Sequence, residues 1–130
     1  MKLIRPDKTA TEKWESKTTK DGKGKPFVVQ IKTNVGIREL NAVMSMASEE
    51  SNFNANHYII SSQIMKIITP IEDENGDQIK EIPRDEFATD GVNLIEYDFL
   101  DSLPPKLFLE LSDYCTNLAL TKLTIEQVKN

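Results

Sequence analysis

The sequence predicts a small α+β domain in which helix dominates, with an N-terminal β-hairpin leading into about four helices. Three observations predict it. The β-branched run PFVVQIKT faces TEKWESKT across the turn-forming TKDGKG. After Thr33 the apolar period changes from two to about 3.6 residues. Finally, LPPKLFLELSDYCTNLALTKL places two prolines ahead of a single apolar stripe.

A chain of 130 residues is one domain's worth, enough to bury a modest core without disulfides or a metal, so residues 1–130 are read as a single domain. Residues 1–10 are polar and loose, 11–33 form the hairpin, and 34–130 make a mainly helical body. In the hairpin, Val28, Val29 and Ile31 suit a strand, and Asp21-Gly22 is a favoured turn pair that Lys23-Gly24-Lys25 lengthens. Pro26 marks a strand's first residue or an edge.

A helix over about 36–49 follows, with Ile37, Leu40, Met44 and Ala47 on one face, Asn34 or Gly36 as N-cap and Glu39 in the first turn. In 55–69, Tyr58, Ile60, Ile64 and Ile67 make a helical stripe that Pro70 ends; QIMKIIT also fits a buried strand, and helix is preferred. PIEDENGDQIKEIP turns at Asn75-Gly76. A helix over 91–102 is capped by Thr89 or Asp90 and points Val92, Ile95 and Phe99 inward. In the last long helix Leu107, Leu111, Tyr114 and Leu118 recur at i, i+4, i+7 and i+11. Thr124 and Gln127 stand at capping-box spacing near its end, and the short remainder docks or frays.

Charge and chemistry narrow the function. Residues 1–33 carry +5 and residues 34–130 carry −10, a basic front on an acidic body. The front has neither a dense Arg/Lys face nor a stacking platform, which argues against nucleic acid. No apolar run reaches the roughly 18 residues of a membrane helix, and no apolar stretch follows Lys2 and Arg5 to make a secretory signal. The lone Cys115 has no disulfide partner and reads as a packing residue in a reducing cytoplasm. His57, among asparagines, reads as a solvated or capping histidine. Asp73, Asn75 and Asp77 hint at a calcium loop, but Gln78 stands where the turn glycine belongs and Arg84 where a bidentate glutamate is needed. The pairs Glu49/Glu50, Asp85/Glu86 and Asp98/Asp101 lie in polar context and read as solvated faces. A non-enzymatic protein without metal or cofactor is expected.

The order of segments resembles the tail assembly chaperones of long-tailed bacteriophages over about residues 26–130. The resemblance is carried by FVVQIKT running into GIRELNAVMSMASE, by SSQIMKIITPIEDENGDQIKEIP with its polar turn, and by GVNLIEYDFLDSLPPKLFLELSDYC and a closing Lys-Asn. The front from Lys2 to Lys25 is longer than the compact starts of that family, and the family's usual mid-segment tryptophan has no counterpart in IMKIITPI. The resemblance implies a protein that works in the host bacterial cytoplasm, binds the tape-measure protein and keeps it soluble until tail-tube subunits polymerise. A homo-oligomer is compatible with it.

The candidate partner surface is Leu107, Phe108, Leu111, Tyr114 and Leu118 together with Ile37, Leu40 and Met44. A chain of this size needs nearly all its large apolar side chains inside, so most of these also read as core. The alternative is a structural subunit of the virion, in neck, tail tube or tail tip, whose basic front packs on a neighbour's acidic body. A small protein that binds a host factor is a third reading.

Overall fold

The computed structural model describes residues 10–34, 36–47 and 52–128. The N-terminal nine residues, the Ser48–Ser51 part of the polar loop and the closing Lys-Asn lie outside them. The sheet is built from β1 (Thr11–Lys20), β2 (Pro26–Lys32) and β3 (Ile64–Ile67), in the order β1-β2-β3 and antiparallel throughout. Among the described residues four helices accompany it: α1 (Ile37–Ala47), α2 (Asn52–Gln63), α3 (Tyr97–Ser102) and α4 (Pro105–Val128).

Pleating puts Phe27, Val29 and Ile31 of β2 on one face, all buried, with Trp14 of β1 and Ile64 of β3 beside them. That face meets α2 and α4, and Ile59, Ile60, Leu107, Leu111 and Cys115 close the core. Tyr58, Ile59 and Ile60 are consecutive and all buried, so α2 is covered on more than one side instead of along one stripe. α1 lies against α2, and α4 packs on α2 and β1.

The expectation of a helix-dominant body is corrected. Helix and extended structure carry similar weight, for two reasons. The 55–69 helix stops at Gln63, and residues 64–67 become a third strand, with Ile67 opposite Val29 and Ile64 opposite Ile31. Pairing with a central strand outweighs the local helical spacing.

The 91–102 helix is also shortened, to Tyr97–Ser102. Thr89 and Val92 exchange backbone hydrogen bonds of 2.8 and 3.0 Å around Asp90 and Gly91, whose φ values are 48° and 81°. Two left-handed residues make a type I′ hairpin, so Asp90 is a turn residue and not a helix cap. Val92–Glu96 then runs back along Pro83–Asp85, bonded through Asp85 N to Leu94 O at 2.7 Å and Glu96 N to Pro83 O at 3.0 Å.

Other boundaries follow local chemistry. Gly36 O accepts from Leu40 N, which makes Gly36 the residue before α1. Pro105 opens α4, where a missing N–H costs nothing. Thr124 lies within the span of α4, which no glycine or proline interrupts from Leu118 to Val128.

Two five-residue loops share one design. Asp21 Oδ1 accepts from Lys23 N and Lys25 N at 2.8 and 2.9 Å, and Asp73 Oδ1 accepts from Asn75 N and Asp77 N at 2.8 and 3.0 Å. In each, the fourth residue is a glycine at φ 82°, donating to the aspartate carbonyl. The amide bonds of Lys25 and Lys23 hold the Asp21 carboxyl below its usual range.

Candidate functional site

The eight residues proposed for partner binding do not form one surface. Leu107 and Leu111 of α4 and Leu40 of α1 are 0%, 2% and 8% exposed and belong to the core. Phe108, Tyr114 and Leu118 are half-buried against it. Tyr114 also fastens α4 to the hairpin, its hydroxyl donating to the Glu12 carboxylate and its ring 6.0 Å from that of Trp14. Ile37 and Met44, by contrast, are 84% and 62% exposed, seven residues apart on one side of α1.

His57, Ser61 and Gln63 are buried in α2 and each bonds to backbone, while Gln63 Oε1 has no hydrogen-bond partner among the described residues. His57, expected to be solvated or capping, is fully buried within α2; its Nε2 lies 2.6 Å from Ile95 O and its ring 4.7 Å from that of Tyr97. Ser61 Oγ accepts from Ile95 N at 3.0 Å, and Gln63 Nε2 donates to Cys115 O at 3.0 Å. Burial pushes the Cys115 thiol up to about 12, which keeps it protonated and unreactive.

Arg84 is the strongest of these links. Its Nη1 donates to Ser61 O and Asn93 O at 2.8 and 2.9 Å, and its Nη2 to Ile64 O at 2.7 Å. The cation therefore sits at the C-terminal end of α2, where the helix dipole favours positive charge, and ties that end to the 83–96 ribbon. Desolvation lowers its pKa, yet a guanidinium stays charged at any physiological pH.

Glu110 was not singled out in the sequence, and nothing local marks it. The β1–β2 register shifts between Glu15 and Lys20, which takes amides of β1 out of the ladder. Ser16 Oγ accepts from Thr18 N and Thr19 N, and Glu110 accepts from Lys17 N at 2.6 Å, Ser16 Oγ at 2.6 Å and Thr18 Oγ1 at 2.8 Å. Desolvation pushes the Glu110 carboxyl up, but these hydrogen bonds, led by that from Lys17 N–H, outweigh it and hold the pKa below its ordinary 4.5. The sign follows directly. Stability from this contact is complete above about pH 4.5 and is lost as pH falls through the lower folded value. In urea titrations from neutral pH downward, Glu110→Gln is expected to flatten the acid limb relative to the wild type; parallel limbs would contradict it.

A groove of about 490 Å³ lies between β3 and the segment that follows the Asp73 loop. Met65 and Ile67 of β3 line it together with Ile71, Ile79 and Ile82, which are half-buried against the core. Lys66, Lys80, Glu81 and Arg84 also line it. This arrangement can hold an apolar or extended segment by non-covalent contact, and it is hidden in the sequence as long as 64–67 is taken as helix.

The Asp73 carboxylate oxygen that would head a calcium loop already accepts two amides, and among the described residues no group of His, Cys, Asp and Glu side chains is arranged to hold a metal. Asp85, Glu86, Asp98 and Asp101 are exposed, whereas Glu49 and Glu50 lie outside the described residues. No described helix is long and apolar enough to cross a membrane. The chain matches no protein-family model, no curated protein and no solved structure.

Proposed function

We propose that this protein is a non-enzymatic assembly chaperone of a long-tailed bacteriophage, which binds the helical tape-measure protein and keeps it soluble before the tail tube forms. The observation that carries the proposal is the exposed side of α1, where Ile37 and Met44 stand in solvent one heptad apart. Two large side chains at that spacing match the stripe of an amphipathic helix, and a partner helix laid along them would bury both. Full burial of an isoleucine or methionine is worth about 1.5–3 kcal/mol, so the pair is a useful anchor.

The test is co-expression with the tape-measure protein encoded by the same phage. Wild-type chain is expected to shift that protein from pellet to supernatant. Ile37→Asp/Met44→Asp is expected to lose this effect while keeping the wild-type circular dichroism spectrum, because neither side chain supports the core. Undiminished solubilisation by the folded double variant would overturn the assignment of this face.

A further inference from the structure

We propose that the groove beside β3 is a second docking site, which takes an extended segment of another polypeptide that pairs with the open edge of β3 and sets carboxylates against Lys66 and Lys80. Three observations carry the proposal, and none depends on the α1 face.

The first is the edge itself. β3 is the last strand of the sheet, and among the described residues no backbone hydrogen bond joins Met65, Lys66 or Ile67 to the 79–82 segment across the groove. Ile64 O is already taken by Arg84 Nη2, so Met65, Lys66 and Ile67 present about 10 Å of pairing edge, enough for a short ladder.

The second is the lining. Edge strands are commonly protected by a charge such as Lys66, but Met65 beside it is 53% exposed, and Ile71, Ile79 and Ile82, half-buried against the core, add aliphatic lining. A protected edge does not need added apolar lining. An added strand would bury its alternate side chains against these isoleucines.

The third is charge. The chain carries −5 overall, yet Lys66, Lys80 and Arg84 converge on this groove against one carboxylate, Glu81. None of the three cations has an ion-pair partner among the described residues; the guanidinium of Arg84 is directed at carbonyls. A guest with acidic residues between its apolar ones complements this lining, and a basic one is repelled.

The experiment uses the full chain and three fluorescein-labelled hexapeptides: alternating valine and glutamate, alternating valine and lysine, and the first peptide with its central amides N-methylated. Fluorescence anisotropy is expected to show saturable binding of the valine–glutamate peptide and at least about tenfold weaker binding of the other two, because one has the wrong charge and the other lacks ladder donors. Lys66→Glu/Lys80→Glu, whose side chains lie at the surface, is expected to weaken the first peptide by about tenfold, as two reversed rim charges would. Absence of saturable binding, equal affinity for both charge patterns, indifference to N-methylation, or indifference to the double variant would each overturn the proposal. Sedimentation would also overturn it by revealing a salt-sensitive self-association that the same double variant abolishes, since the edge would then belong to a second copy of the chain.

Discussion

Leu111→Asp is expected to abolish the fold. Leu111 is 2% exposed and packs within the core that joins α4 to the sheet and α2. Removing such a side chain alone costs about 2–5 kcal/mol. A carboxylate left in its place adds several kcal/mol, because it has lost water and gained no partner. The sum approaches or exceeds the total stability of a typical domain, about 5–15 kcal/mol. Circular dichroism should show loss of cooperative unfolding, while Leu111→Met, which conserves volume, should stay within about 1.5 kcal/mol of the wild type in urea. A Leu111→Asp protein that unfolds cooperatively at the wild-type midpoint would place this residue at the surface and undo the core described for α4.

Arg84→Met should have the second-largest effect, about 2–4 kcal/mol, with a local signature. The substitution keeps an apolar stem but removes three charge-assisted hydrogen bonds and leaves the carbonyls of Ser61, Ile64 and Asn93 short of a donor. The 83–96 ribbon depends on that anchor. In hydrogen exchange the amides of Asp85, Ile95 and Glu96, which bond to Leu94 O, Ser61 Oγ and Pro83 O, should lose protection before those of β1 and β2. Arg84→Lys should restore only part of the loss, since an ammonium cannot span three carbonyls held by a planar fork. A midpoint shift worth less than about 0.5 kcal/mol, or uniform loss of protection, would remove Arg84 from its place as the link between α2 and the ribbon.

These two residues illustrate what the sequence could and could not reveal. Leu111 was legible as apolar and periodic, but periodicity gives a face without saying what covers it, and both core and partner fitted. Arg84 was invisible, because its partners are carbonyls that only the tertiary fold brings within reach. The hairpin was readable from its local chemistry, an aspartate-glycine loop between β-branched runs, as was the start of α4 from its prolines.

β3 was not readable in that way. Ile64 and Ile67 are three apart, which suits a helix, QIMKIIT also fits a buried strand, and the nonlocal ladder to Val29 and Ile31 decides for strand. The misreading of β3 also hid the groove. Asp90-Gly91 did carry a local signal, since that dipeptide favours a type I′ turn; weighing it as a helix cap produced a helix six residues too long at its start. His57 looked solvated because its neighbours in sequence are polar, whereas burial of α2 on several sides determines its surroundings.

Of the residues read as a partner surface, only Ile37 and Met44 remain largely exposed, so the chaperone reading now rests on α1. The most direct test is to tag the chain at its own locus, recover it during infection, identify the bound proteins by mass spectrometry and analyse mature particles in parallel. The proposal predicts recovery of a long, helix-rich tape-measure protein, reduced by Ile37→Asp/Met44→Asp, with the chain missing from mature particles. Stoichiometric presence of the chain in those particles would contradict it and make the protein a structural subunit.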